Sequence, residues 1–326
     1  MQPASLQPVP LQIVRDWREL PGALQGAAVA LGNFDGVHLG HAHVLRAVHA
    51  ARPGAKLAVL TFEPHPRELF RPDDPAFRLT LSAERAEALA ALNVQIVYEL
   101  AFDRAFSLLS AEAFVDDVLH RGVGAAHLAC GPDFAFGHRR GGDVGFLATR
   151  AETLGIGLTI VPPLADAQGT ISSTRIRRLL QDGYPERAAA ELGRPWAVRG
   201  PVTHGEKRGR TIGFPTANVP LGRHLEPARG VYAVRARLAD GTTVPGVANI
   251  GRRPTVNEGT ESRLEAHFFG YDGDLYGQEI AVALHAFLRA ERKFGSFDEL
   301  RAQIVADAEQ ARALLAMLDP AGPRSA

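Results

Sequence analysis

Cysteine is almost absent: Cys130 is the only one in 326 residues. That excludes a disulfide framework and a multi-cysteine zinc site within one chain. Net charge is absent as well, with 36 Lys+Arg against 36 Asp+Glu. A protein that reads nucleic acid by neutralising many phosphates should be basic, so a whole-protein polyanion reader is excluded, although a local basic patch survives the balance. No apolar run approaches the roughly 18 residues of a membrane helix. The longest candidate, residues 155–165, is interrupted by Pro162 and Pro163. The N-terminus lacks a basic segment followed by an apolar core, so no secretory signal is expected. There is no internal repeat, no low-complexity tract, no Walker A loop and no protein-kinase signature. The length exceeds the roughly 250–300 residues over which a single core grows, and composition is ordinary at 46% apolar and 22% charged. The expectation is a soluble, cytoplasmic, two-domain protein.

Residues 1–10 hold three prolines and read as a loose arm. From about residue 25 to 163, short runs rich in Val, Ile, Leu and Ala (27–31, 57–62, 94–100, 126–130, 157–161) alternate with amphipathic stretches. Such runs suit strands buried on both faces. Between them, Val44, Leu45 and Val48 form one apolar stripe, Ser82 reads as the N-cap of a helix over 83–92, and Ser110 as that of a helix over 111–121. Strands separated by helices imply βαβ units and a mostly parallel sheet. Two more helices follow, 172–180 and 186–192, with Gly183 and Gly193 as stops. From 196 to 288 helical periodicity disappears. Short β-type runs (231–238, 244–250, 264–269, 280–288) take over, with Asp240-Gly241 and Asp272-Gly273 as turns. That pattern predicts a small barrel or sandwich, then one amphipathic helix over 297–318. The predicted division is 1–24 arm and lead-in, 25–184 α/β domain, 185–318 β domain, and 319–326 tail.

The most informative stretch is Gly32-Asn33-Phe34-Asp35-Gly36-Val37-His38-Leu39-Gly40-His41, which follows the first strand and opens the first helix. An α/β sheet binds phosphates there, because the helix N-terminus offers unpaired N–H groups and partial positive charge. Gly36 and Gly40 permit close backbone approach. His38 and His41, three apart, can donate to phosphate oxygens and stabilise charge building up during attack. Either histidine alone would read as a surface or capping residue. A metal site with Asp35 or His43 fits no recognised zinc spacing. Ser172-Ser173-Thr174 with Arg175 and Arg177 forms a second anion-friendly helix start, which by itself would read as an N-cap with a solvated basic face. The segments Thr61-Phe62-Glu63-Pro64-His65-Pro66-Arg67-Glu68 and Gly131-Pro132-Asp133-Phe134-Ala135-Phe136-Gly137 each follow a strand, as shaped loops do. In the latter, Asp133, Phe134 and Phe136 either hold a flat ring or pack the loop on itself.

In the second half, Arg208-Gly209-Arg210-Thr211-Ile212-Gly213-Phe214-Pro215-Thr216-Ala217-Asn218 is dense in glycine, cations and small polar groups. A phosphate cradle and a polar barrel loop are equally compatible with it. Thr216 and Asn218 carry oxygens that suit Mg²⁺. Glu265 is an ordinary exposed glutamate or, at a barrel mouth, a general base for an alcohol attacking phosphate.

The Gly-x-Phe-Asp-Gly-x-His-x-Gly-His sequence resembles the HxGH signature of nucleotidyltransferases. With the segments at 61–68, 131–137 and 171–178 it is similar to the adenylyltransferase module of the bacterial bifunctional riboflavin kinase/FMN adenylyltransferase (FAD synthetase) family. The segments at 209–218, 247–255, 264–268, 274–277 and 288–294 follow in the order of that family's kinase module. The resemblance spans about residues 25–315, and every motif position is filled. It implies a Rossmann-like α/β nucleotidyltransferase domain followed by a small antiparallel β-barrel riboflavin kinase domain with a C-terminal helix. It further implies ATP as co-substrate, Mg²⁺, and riboflavin, FMN and FAD as substrates and products. By resemblance, His38 and His41 stabilise the ATP phosphates, with Gly32, Phe34, Gly40, Ser173, Thr174, Arg177, Gly209 and Arg210 in ATP and phosphate binding. Asp133, Phe134, Arg289 and Phe294 fall to the flavin, Thr216 and Asn218 to Mg²⁺, and Glu265 is the base on the riboflavin 5′-hydroxyl. Small-molecule substrates are the expected partners, with no nucleic acid and no membrane, and a weak homo-oligomer is left open. Two other readings stay open here: a nucleotidyltransferase with a phosphopantetheine-like or nicotinamide mononucleotide acceptor, and a flavin- or nucleotide-binding regulator without turnover.

Overall fold

The computed structural model describes residues 10–203, 215–254 and 260–318. The chain divides into two compact units, Met1–Pro75 with Thr80–Ser172, and Ala76–Leu79 with Ser173–Ala326.

The first unit holds a six-stranded, all-parallel sheet in the order β1-β4-β3-β2-β5-β6. The strands are β1 (Gln12–Val14), β2 (Ala28–Leu31), β3 (Leu57–Glu63), β4 (Ile96–Ala101), β5 (His127–Cys130) and β6 (Gly157–Ile160), and a separate short hairpin, β7 (Ala165–Asp166) with β8 (Gly169–Thr170), follows them. Five coincide with the apolar runs. The edge strand β1 has no counterpart among them, because three residues with one buried side chain leave no periodicity to read. Helix α1 (Leu39–Ala51) buries Leu45 and Val48 on one face of the sheet, together with Leu89 of α3 (Ser82–Ala90). The other face is covered by α4 (Ala111–Ala113), the π-helical stretch Phe114–Gly122 that continues it, and α5 (Val144–Thr153). Winding reverses between β2 and β5, so the segments leaving these two strands meet at the switch point where open α/β sheets bind ligands.

Two local expectations are corrected. Ser82 is not the cap of α3 but its first residue. The capping is done by Glu84, whose carboxylate accepts the Leu81 N–H at 2.6 Å, while the Ser82 hydroxyl donates to Glu99 of β4 at 2.5 Å. The segment 61–68 is not loop throughout, since Pro66 opens a short helix α2 (Pro66–Phe70) capped by His65. A proline fits there because a first-turn N–H has no intrahelical partner. Ser110 does cap α4, accepting the Ala113 N–H at 3.0 Å.

The second unit begins with α6 (Ser173–Gln181) and α7 (Pro185–Leu192), the latter ending on Gly193 in the left-handed conformation. Six antiparallel strands follow in the order β10-β13-β12-β11-β14-β9. They are β9 (Trp196–Pro201), β10 (Ala217–Pro220), β11 (Gly230–Arg237), β12 (Thr243–Pro254), β13 (Thr260–Phe268) and β14 (Glu279–Ala290). A bridge between Thr203 and Asn218, with the Thr203 N–H donating to the Asn218 carbonyl at 2.8 Å, nearly closes the sheet into a barrel. Alternation sorts the side chains. Tyr232, Val234, Ala248, Ile250, Leu264, Ala266 and Phe268 join the main apolar core, whereas Val231, Ala233 and Val247 face α8 (Phe297–Leu318) through Ala308, Ala311 and Leu315. Strands β9 and β10 were not among the β-type runs of the sequence. Gly200 and Pro201 interrupt the first, and only four residues form the second.

Candidate active sites

In the first unit the segment from Gly32 to His38 leaves β2 in a strained path, with positive φ at Phe34 (+50°), Gly36 (+89°) and Val37 (+44°). Phe34, Asp35, Val37 and His38 are all buried. The Thr61 hydroxyl of β3 donates to the Asn33 carbonyl at 2.9 Å, and the Gly36 N–H donates to the Thr80 hydroxyl at 2.9 Å. The Asp35 carboxylate accepts the Thr80 N–H at 3.0 Å.

His38 is the N-cap of α1, and the cap is reciprocal. Its Nδ1 accepts the His41 N–H at 3.3 Å, while His41 Nδ1 accepts the His38 N–H at 3.2 Å. This is a capping box built from two imidazoles. The rings stack at 3.7 Å between centroids, and the Phe34 ring lies 4.8 Å from that of His41. Because each Nδ1 is an acceptor, each ring is neutral and carries its proton on Nε2, a tautomer assigned from the hydrogen bonds. Two N–H donors on one helix N-terminus suit a polyphosphate. Gly40 is required by packing: a Cβ there would lie 2.9 Å from the His38 ring and 3.1 Å from the Ile171 carbonyl. At Gly32 a Cβ would stand 3.3 Å from the Phe34 ring.

The segment after β5 brings Asp133 and Phe134 to the same switch point. Asp133 is exposed and Phe134 half-buried. Phe136 is buried and packs on Phe134, Phe114 and Phe146, so it belongs to the core. Phe62, Phe102 and Phe106 continue this aromatic chain along the ends of β3 and β4, with centroids 5.2–5.8 Å apart. Phe102 and Phe106, both just beyond β4, carry no motif or period in the sequence and gain meaning only where the fold sets them against Phe62 of β3. Arg85, buried beneath that edge and paired with Glu99 at 2.8 Å and Glu63 at 3.1 Å, is equally silent in the sequence. Cys130, fully buried at the end of β5, has its thiol pushed up to about 11 by burial, with the Asp133 charge adding to the effect. It is therefore no nucleophile.

Ser173, Thr174 and Arg177 all lie on α6 in the second unit. The Arg177 Nε donates to the Phe77 carbonyl at 2.8 Å, and its neighbour Arg175 pairs with Glu191 of α7 at 2.7 Å.

The barrel register assembles a second group. Asn218 of β10 stands opposite Glu265 of β13, and Glu265 stands opposite Asn249 of β12. Asn249 pairs with Val231 of β11, and Val231 with Arg289 of β14. One lateral row, at about 4.8 Å per strand, thus carries Asn218, Glu265, Asn249 and Arg289. Asn249, which donates to Glu291 at 3.1 Å, had no role assigned from sequence. Asn218 is 3% exposed, and its buried Oδ1 has no hydrogen-bond partner among the described residues. A cavity of about 600 Å³ is bounded by Thr216, Asn218, Ala266, Phe268, Tyr271 and Tyr276, among others; Glu265 and Arg289 do not line it. Arg289 is held by a two-pronged pair with Asp307 of α8, at 2.7 to 3.1 Å, and its guanidinium lies 5.7 Å from the Phe294 ring. Gly209 and Arg210 lie outside the described residues. Among the described residues no three His, Cys, Asp or Glu side chains converge as metal ligands.

Comparison with known proteins divides the chain in the same order. The FAD synthetase family matches residues 21–175, and the riboflavin kinase family matches residues 192–315. The bifunctional riboflavin kinase/FMN adenylyltransferase of Escherichia coli (strain K12) is 40% identical over 314 residues, covering 95% of this chain and all of that protein. The Haemophilus influenzae protein of the same name is 40% identical over 309 residues, covering 93% and 99%. A crystal structure from Streptococcus pneumoniae, titled a macrolide-efflux protein, superposes with a TM-score of 0.82 at 33% identity, covering 92% of this chain and 98% of that one. Among the described residues no helix is long and apolar enough to cross a membrane.

Proposed function

The chain belongs to the bifunctional riboflavin kinase/FMN adenylyltransferase family, phosphorylating riboflavin to FMN and adenylylating FMN to FAD, and on that basis we propose how its residues divide the two steps. The observation that carries the division is the reciprocal histidine cap at the switch point of the first unit, set against the cross-strand row of the second.

In adenylyl transfer, an FMN phosphate oxygen attacks the α-phosphorus of ATP. The bond to the bridging oxygen breaks and pyrophosphate leaves. His38 and His41, each presenting Nε2–H, stabilise the charge that accumulates on the phosphates, and the α1 N-terminus adds its dipole. Because Nδ1 of both rings is occupied by the cap, the donors are aimed before substrate arrives, and no reorganisation is needed at the moment of reaction. Phe134 offers a half-buried ring face for the isoalloxazine, with Asp133 beside it.

In the kinase step, the riboflavin 5′-hydroxyl oxygen attacks the γ-phosphorus, its proton passes to the Glu265 carboxylate, and ADP leaves. Asn218 Oδ1, buried and without a partner among the described residues, fits a hard cation, and Thr216 lies beside it with its carbonyl 3.5 Å from the Asn218 amide nitrogen. These two residues would hold Mg²⁺, which when bound neutralises phosphate charge. Arg289, tied to Asp307, braces the C-terminal segment that carries Phe294. Dependence on ATP supports a cytoplasmic site of action.

The test is a product analysis. The protein is incubated with riboflavin, ATP and Mg²⁺, and riboflavin, FMN and FAD are separated over time. FMN is expected first and FAD later; FAD that appears without FMN ever accumulating or exchanging with added FMN would contradict two separate steps.

A further inference from the structure

The segment that presents the histidine pair is strained, and Thr80, outside the signature, is bonded to its middle. Phe34, Gly36 and Val37 have positive φ, and for a β-branched residue such as Val37 that conformation is a genuine outlier. Such strain persists only where the surroundings over-determine it. Within the segment itself the Val37 N–H reaches the Phe34 carbonyl at a long 3.3 Å. Thr61 ties down Asn33, ahead of the strained residues. Thr80 acts on Asp35 and Gly36, the two residues between the strained Phe34 and Val37. Its hydroxyl accepts the Gly36 N–H at 2.9 Å and is 3.5 Å from Asp35 Oδ1, and its backbone N–H donates to that same oxygen at 3.0 Å. Thr80 is 5% exposed and Asp35 2%, so water does not compete for these bonds.

We propose that Thr80 is a positioning residue for adenylyl transfer: its hydroxyl clamps Asp35 and Gly36 so that α1 begins where His38 and His41 cap each other and face the ATP phosphates. The proposal rests on the assignment of the histidines given above. Thr80, buried behind the loop, is assigned no contact with substrate. It acts through the path of the backbone two residues before the cap, where a shift of about 1 Å at the Nε2 atoms is enough to cost roughly a hundredfold in rate. Valine has the same shape as threonine without the hydroxyl, so Thr80→Val isolates the clamp.

The experiment uses the full chain, in which riboflavin phosphorylation serves as an internal control. For Thr80→Val, kcat for FMN adenylylation is expected to fall about 10- to 100-fold, with KM for FMN and ATP within about twofold. Riboflavin kinase rates should be unchanged, and Thr80→Ser, which keeps the hydroxyl, should retain adenylylation within about threefold. Placed in a His41→Ala background, Thr80→Val should cost less than about a further twofold, because residues acting as one unit are not additive. A kcat within threefold of the parent for Thr80→Val, or a full multiplicative loss in the His41→Ala background, overturns the proposal. If His41→Ala alone leaves FAD formation intact, the histidine assignment fails, which is a distinct result. Should Thr80→Val lose the cooperative melting of the first unit, Thr80→Ala, with room for a water, is judged by the same outcomes.

Discussion

In the first unit, ten consecutive residues, from the end of β2 into the first turn of α1, carry the histidines, the glycines and the ring that packs on them. In the second, Asn218, Glu265 and Asn249 come from three neighbouring strands and stand side by side only through barrel register, with Arg289 two strands further along the same row. The first site is local: its geometry follows from one helix cap and a strained approach to it. The second is built across hydrogen-bonded ladders, where a slip of one residue would turn each side chain to the opposite face. A local site can be damaged by a change in its own loop, while a register-built site depends on every strand between its members.

The most direct way to break the comparison is to disable one site and read the other. Glu265→Gln is expected to lower FMN formation by about 10²- to 10⁴-fold, while FMN supplied from outside is still converted to FAD. A retained kinase rate would remove Glu265 as the base. His41→Ala should lower FAD formation by about 10²- to 10³-fold, with FMN formation nearly intact, and an equal loss of both products would contradict separate sites.

A third variant probes the row's outer end. Arg289→Ala leaves the buried Asp307 carboxylate without its guanidinium, and the second unit is expected to lose roughly 3 kcal/mol. Thermal unfolding should show a lower transition for that unit alone; an unchanged melting curve would mean that the pair is not what braces β14 against α8. Removing both charges together, in Arg289→Met/Asp307→Leu, should be milder, since no uncompensated charge remains.

The smallest expected effect concerns His127 of β5. Burial, with Arg52 adding, holds its imidazole below the ordinary 6.5, and its Nε2 lies 2.8 Å from the Thr159 hydroxyl. The unfolded chain therefore takes up the proton first as pH falls through about 6.5, and stability is lost from there down to the folded value. In His127→Gln the fall in melting temperature between about pH 7 and 5 should be shallower. Identical slopes would show that other groups set the acid sensitivity.

Legibility in the sequence followed the same contrast. The β2–α1 segment and the long runs of β3, β4 and β5 were readable because strand, turn and helix cap each leave a signature within a few residues. Strands β9 and β10, the edge strand β1, and the capping of α3 by Glu84 rather than Ser82 were not. Short or edge strands carry no period, and Ser82 was drawn away by a carboxylate that only the sheet brings near it. Arg85 and Phe102 were passed over for the same reason, and Thr80 only because its partners are 44 and 45 residues distant.

Read without the fold, the 326 residues already carry the order of an α/β region and a β region, a helix start with two histidines three apart, and the family. These rest on periodicity and on contacts between residues three or four apart, which covalent geometry already limits. Tertiary packing alone places Glu265 between Asn218 and Asn249 and brings Thr80 onto the loop before the histidines. Those facts depend on long-range hydrogen bonds and on register, which are fixed when distant segments are buried together and leave no trace in any short stretch of sequence.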